Sequence, residues 1–76
     1  MNKLKEEILE KLAEILEEDS ISLTQELESF DEWDSLTTLS LIAMADSDYN
    51  ISLTIQIVEQ FVTVEDVLEY IIKNAQ

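Results

Sequence analysis

Ile51-Ser52-Leu53-Thr54-Ile55-Gln56-Ile57 alternates apolar and polar residues as a half-buried strand would. Whether it is one decides the fold. Nothing else in the 76 residues offers a convincing second strand, and a lone strand has nowhere to send its backbone hydrogen bonds. The stretch is therefore expected to be a loop followed by a short helix, and the chain becomes all-α.

Helical spacing surrounds it on both sides. Thr63 with Glu65 and Asp66 makes a good helix start, and Val64, Val67, Leu68, Ile71 and Ile72 follow at i, i+3, i+4, i+7 and i+8. Upstream, Asp34 or Ser35 caps a helix reaching about Asp48. Its Leu36, Leu39, Ile42 and Ala43 are expected to share the core face, with Leu36 anchoring the start, while Leu41, Met44 and Ala45 make the remainder unusually apolar. Apolar residues beyond a core stripe signal either a helix buried on most sides or a contact surface. At the other end, Leu4, Ile8, Leu12 and Ile15, widened by Leu9 and Leu16, predict an amphipathic helix over about 3–18 with a Glu7–Lys11 pair.

Between these helices runs a long connection, Asp19 to Asp34. Ile21, Leu23, Leu27, Phe30 and Trp33 are expected to pin it down, because unpinned loops of this length are uncommon in compact domains. There is no Gly and no Pro, so turns fall to Asn, Asp, Ser and Thr, with Asn50 the best candidate for a left-handed backbone. The expected organisation is one domain over 1–76.

Charge and composition exclude most chemistry. The chain has 18 acids, four Lys or Arg, and a formal net charge of −14. All four cations are lysines, and between Lys11 and Lys73 there are acids but no base. Nucleic acid and anionic lipid both require cations to neutralise phosphate, so neither is an expected partner. Such a surface steers instead toward basic patches on partner enzymes. No apolar stretch approaches the ~20 residues of a membrane span, and the first residues lack a secretory signal's apolar segment, so a cytoplasmic protein is expected; a monomer is the expected state. With no His and no Cys, a Ser-His-Asp or Cys nucleophile is impossible, and zinc or disulfide spacings do not exist. Asp46-Ser47-Asp48-Tyr49-Asn50 opens like a calcium loop. It fails where the tight turn wants Gly (Ile51) and where a bidentate Glu is needed (Ile57). No enzyme and no metal site is expected.

One chemical group remains. Ser35, at the first turn of a helix, would place a phosphate ester beside free backbone N–H groups and the positive end of the helix dipole.

Asp34-Ser35-Leu36, then Thr38, Leu39, Leu41 and Ile42, then Asp46-Ser47-Asp48-Tyr49, resembles the acyl carrier protein family. Ile51 to Leu53 is similar to the family's short apolar segment, and Thr63-Val64-Glu65-Asp66 with Tyr70-Ile71 to the opening of its last helix. The resemblance covers the whole chain. It implies a four-helix bundle with a short third helix and a long loop between helices one and two. Ser35 would carry 4′-phosphopantetheine, attached by a holo-carrier-protein synthase (a phosphopantetheinyl transferase). Acyl groups would be held on it as thioesters for loading and transfer enzymes, with an aminoacyl cargo as the alternative. An unmodified acidic interaction module is the alternative from another class. The resemblance also implies an acyl-sheltering interior, for which Leu39, Ile42, Ala43, Val64 and Leu68 are the candidates. Thr37 and Ser40, and Ile55 and Ile57, stand where such carriers often have acids, and Trp33 is similar to carriers of specialised pathways. Dedicated partners touching Met44, Ile55 or Ile57 are the resulting expectation.

Overall fold

The computed structural model describes residues 3–75; positions 1, 2 and 76 of the expected single domain lie outside the described residues. Among the described residues four α-helices form: α1 Lys3–Ile15, α2 Ser35–Tyr49, α3 Ile55–Glu59 and α4 Val64–Asn74. The chain is all-α with a short third helix, as expected. α1 packs on α2 and α4, and α2 packs on α3.

α4 forms as its spacing predicts. Val64, Val67, Leu68 and Ile71 are buried, and Ile72 is half-buried at the edge. Its start is a reciprocal cap: Thr63 Oγ1 accepts the Asp66 N–H (3.3 Å), and Asp66 Oδ2 accepts the N–H groups of Thr63 (3.1 Å) and Val62 (2.9 Å). Those two backbone donors, Val62 first, hold the Asp66 carboxyl below the usual carboxylate range.

α1 buries Ile8, Leu12 and Ala13, with Leu16 just past its end. It stops at Ile15, short of the expected 18, because Glu17 turns left-handed (φ 58°). The Glu18 N–H then reaches Ala13 O (2.9 Å) and the Glu17 N–H reaches Glu14 O (3.1 Å). That is a Schellman closure built without glycine, which no sequence signal announced. Asn50 is left-handed as expected (φ 57°), and its N–H caps α2 onto Ala45 O and Asp46 O.

Residues 51–57 divide. Ile51 and Leu53 are buried with Ser52 and Thr54 outside, so the alternation is real over the extended part. Thr54 Oγ1 then accepts the Ile57 N–H (3.2 Å) and starts α3. The one antiparallel bridge among the described residues lies elsewhere, between Glu26 and Thr63. It belongs to a set of backbone bonds by which the long loop serves α4. Gln25 O and Leu23 O accept the N–H groups of Val64 and Glu65 (3.0 Å each), donors a helix start leaves orphaned, and Leu27 N–H meets Val62 O (2.8 Å). Leu27 and Phe30 are buried and Ile21, Leu23 and Trp33 half-buried, so the expected pins hold the loop.

The core face of α2 differs from expectation. Its buried positions are Thr37, Leu41 and Ala45, at i, i+4 and i+8. Leu36, expected to anchor the helix start, is 74% exposed; Leu39 is 52% exposed, Ala43 is exposed and Ile42 half-buried. The helix is apolar nearly all round, so its own pattern could not fix its rotation. The buried residues of α1 and α4 select the Leu41 face.

α1 and the end of α2 are latched by charge. Lys11 Nζ lies 2.8 Å from Asp48 Oδ2, 3.4 Å from Glu7 Oε1, and 4.8 Å from the Tyr49 ring centroid. Tyr49 Oη donates to Glu7 Oε1 (2.6 Å). The Asp48 bond pushes the Lys11 ammonium up, and Lys11 in turn holds Asp48 down. Glu7 is held down by Tyr49 first and Lys11 second.

Candidate functional site

The Asp34–Leu36 corner is set by three short hydrogen bonds. Asp34 Oδ1 accepts the Thr37 N–H (3.1 Å), Thr37 Oγ1 accepts the Asp34 N–H (2.8 Å), and the same hydroxyl donates to Glu32 O (2.8 Å). The cap is Asp34, and Ser35 is the first residue of the helix. Thr37 is a positioning residue that sequence reasoning passed over, treating it only as a place where an acid was missing. The available signal was the Asp-x-x-Thr spacing of a reciprocal cap.

This arrangement leaves Ser35 unspent. Its hydroxyl is not the cap, and the residue is exposed. Asp34 takes the Thr37 N–H, so the N–H groups of Ser35 and Leu36 have no acceptor within the helix. An anionic ester on Ser35 would meet those donors and the positive end of the α2 dipole. The donor set fits a phosphodiester.

Beside Ser35 a groove of about 370 Å³ opens between α2, α3 and the loop, near the lower end of the ~300–1,000 Å³ usual for small-molecule sites. Trp33, Leu39, Ile55, Val58 and Phe61 give it an apolar lining, and Thr38, Glu28 and Glu59 complete it. Phe61 is held by Tyr70 of α4, ring centroids 5.6 Å apart. Among the described residues no cation lines the groove.

The expected interior cavity is not what forms. Val64 and Leu68 are sealed in the core, Ala43 points to solvent and Ile42 is half-buried; of the five expected residues only Leu39 lines the groove. Ile55, Val58 and Phe61 line it without having been assigned there. The expected contact residues also separate. Ile55 belongs to the Ser35 groove, Met44 to a shallow one with Lys11, Ser40 and Asp48, and Ile57 is half-buried and lines neither. The Asp46–Tyr49 part of the calcium-like stretch is helical, and Asp48 is engaged by Lys11. Among the described residues no three acids could hold a metal, and no helix is long and apolar enough to cross a membrane.

Compared with known proteins, residues 6–71 match the family described as a phosphopantetheine attachment site, a span that runs from α1 into α4 and includes Ser35. No curated protein and no solved structure matches the chain.

Proposed function

The chain belongs to the phosphopantetheine attachment-site family, and from that premise we propose that it is an acyl carrier whose Ser35 hydroxyl bears the 4′-phosphopantetheine arm. Members of the family carry that group covalently and are carriers, not enzymes; they interact with a phosphopantetheinyl transferase and with enzymes of their pathway. When attached, the group supplies the thiol that a chain without Cys lacks, so that cargo can be held as a thioester. The chain's own residues do the rest. Asp34 and Thr37 fix the corner, Ser35 presents its hydroxyl outward, and the first-turn N–H groups face the phosphate position.

The observation that carries the reading is the uncommitted, exposed Ser35 at a helix start whose capping is done by its neighbour. The apolar lining of the adjoining groove supports an acyl cargo. An aminoacyl cargo is the second reading, favoured because both ionisable residues lining the groove, Glu28 and Glu59, are acids and suit an ammonium group. The carrier works as a cytoplasmic monomer in a specialised biosynthetic pathway rather than general fatty-acid synthesis, given Thr37, Ser40, Ile55 and Ile57 at positions where the resemblance leads one to expect acids.

Intact mass after reaction with coenzyme A and a broad-specificity phosphopantetheinyl transferase tests the attachment. The expected result is a gain of one phosphopantetheine in the wild type and none in Ser35→Ala. An unmodified wild type, or a modified Ser35→Ala, overturns it. The mass of the cargo on protein purified from its native cell then separates acyl from aminoacyl.

A further inference from the structure

The groove beside Ser35 combines apolar walls with two acids. Ser35 itself lines it, so an arm attached there starts at the rim, and its loaded end can fold back onto Leu39, Val58 and Phe61. The two charged residues on the lining come from separate elements, Glu28 from the 3-10 turn Leu27–Ser29 and Glu59 from the last position of α3. Both are exposed, and among the described residues neither carboxylate is paired with a cation. The chain's lysines belong to α1 (Lys3, Lys5, Lys11) and α4 (Lys73), and none of them lines the groove.

We propose that this groove sorts the cargo by charge: it admits an acyl end that carries no carboxylate and turns away one that ends in a carboxylate, with Glu28 and Glu59 setting the choice. The inference rests on the carrier reading, because it takes Ser35 as the origin of the arm. An alkyl end gains from every methylene it removes from water against the walls. A carboxylate end would have to shed its hydration there, and burying a charge without a partner is costly. The lining holds no cation to offset that loss, and Glu28 and Glu59 add like-charge repulsion from two elements. Thr38 and Trp33 offer neutral donors at most, which do not cancel a charge. A carboxylated cargo therefore stays in water, held by its thioester alone, while a plain acyl group is drawn in.

The test compares two cargoes of equal length, hexanoyl and adipoyl, each loaded with the arm from its acyl-coenzyme A by a broad-specificity transferase. The reference is the free-thiol arm loaded from coenzyme A. Trp33, the single tryptophan of the chain, lines the groove and reports its occupancy. Hexanoyl is expected to shift Trp33 emission and to raise Tm by about 5–10 °C, the worth of one or two buried methylenes. Adipoyl is expected to leave the emission unchanged and Tm within about 2 °C of the free-thiol form. In Glu28→Lys/Glu59→Lys, adipoyl is expected to shift the emission as hexanoyl does in the wild type. Glu10→Lys/Glu14→Lys makes the same change in net charge at exposed positions of α1 and is expected to leave the discrimination intact. Circular dichroism confirms that the variants are folded, and Glu59→Lys alone repeats the measurement with a smaller change. An emission shift of equal size with both cargoes in the wild type, or with neither, overturns the charge filter while leaving the carrier reading intact. So does a folded, adipoyl-loaded Glu28→Lys/Glu59→Lys with unshifted emission, or a Glu10→Lys/Glu14→Lys chain that admits adipoyl as well. A wild type that takes no arm from coenzyme A overturns the carrier reading itself.

Discussion

Leu39 and Leu41 are two residues apart on α2, about 200° around the helix, so they face nearly opposite directions. Leu41 has no exposed surface, whereas Leu39 has half of its surface in water. Truncating a fully buried Leu to Ala costs about 2.7–5 kcal/mol, transfer and cavity together. Half of the roughly 1.5–3 kcal/mol that full burial is worth leaves about 1 kcal/mol for Leu39→Ala. A domain of 76 residues is stabilised by about 4–11 kcal/mol in total. Leu41→Ala therefore removes a large share of the whole, lowering Tm by at least about 10 °C at the 4–8 °C per kcal/mol expected for this size. Leu39→Ala lowers Tm by no more than about 8 °C. Urea unfolding followed by far-ultraviolet circular dichroism gives both differences from the midpoints, provided the slope m is unchanged. Equal losses for the two variants, or a larger loss for Leu39→Ala, would mean that α2 is rotated and that the outward stripe is in fact core.

Two further outcomes follow from charge. Self-repulsion at −14 outweighs the Lys11 latch, so Tm is expected to rise with added NaCl or divalent cation; a Tm independent of ionic strength contradicts this. The Asp66 carboxyl is held below its ordinary value by the Val62 and Thr63 N–H groups, so its contribution is fully present above the usual carboxylate range and lost as pH falls through the depressed folded value. Asp66→Ala is expected to cost about 1 kcal/mol near neutral pH, the value of one helix cap, and the gap in urea midpoint between variant and wild type is expected to close in acid. A gap that persists unchanged to the lowest pH at which both fold would assign the loss to something other than the carboxylate.

How far the fold was legible depended on whether each element carried its own signal. α4 has a five-position stripe, a Thr cap and first-turn acids, and every one of them lies where the spacing put it, Ile72 at the edge. The residues 51–57 were resolved by a non-local argument, the lack of a partner strand, since local alternation is equally satisfied by Ile51 and Leu53 packing inward from a loop. The end of α1 was not legible, because Glu17 in a left-handed conformation is a choice the tertiary structure forces on a residue that does not favour it. At the site, Ser35 and its helix start were visible from three letters; the Asp-x-x-Thr spacing also signalled Thr37 as a capping partner, and only its bond to Glu32 O across the corner left no mark in the sequence.

α2 was illegible in rotation for a reason tied to its use. A helix with one apolar stripe announces which side goes in; α2 has two, Leu41–Ala45 and Leu36–Leu39–Ala43, and burial of either would satisfy its own sequence. Packing against the buried residues of α1 and α4 makes the choice. The rotation that puts Leu41 and Ala45 inward also turns Thr37 toward the loop, where its hydroxyl meets Asp34 and Glu32. The reciprocal cap at Asp34 frees Ser35 from capping, and the rotation leaves Leu36 and Leu39 outside beside it. Replacing the outer stripe by charged residues would have made the helix simple to read and easier to keep soluble. The stripe instead leaves large apolar side chains in water on the face that borders Ser35.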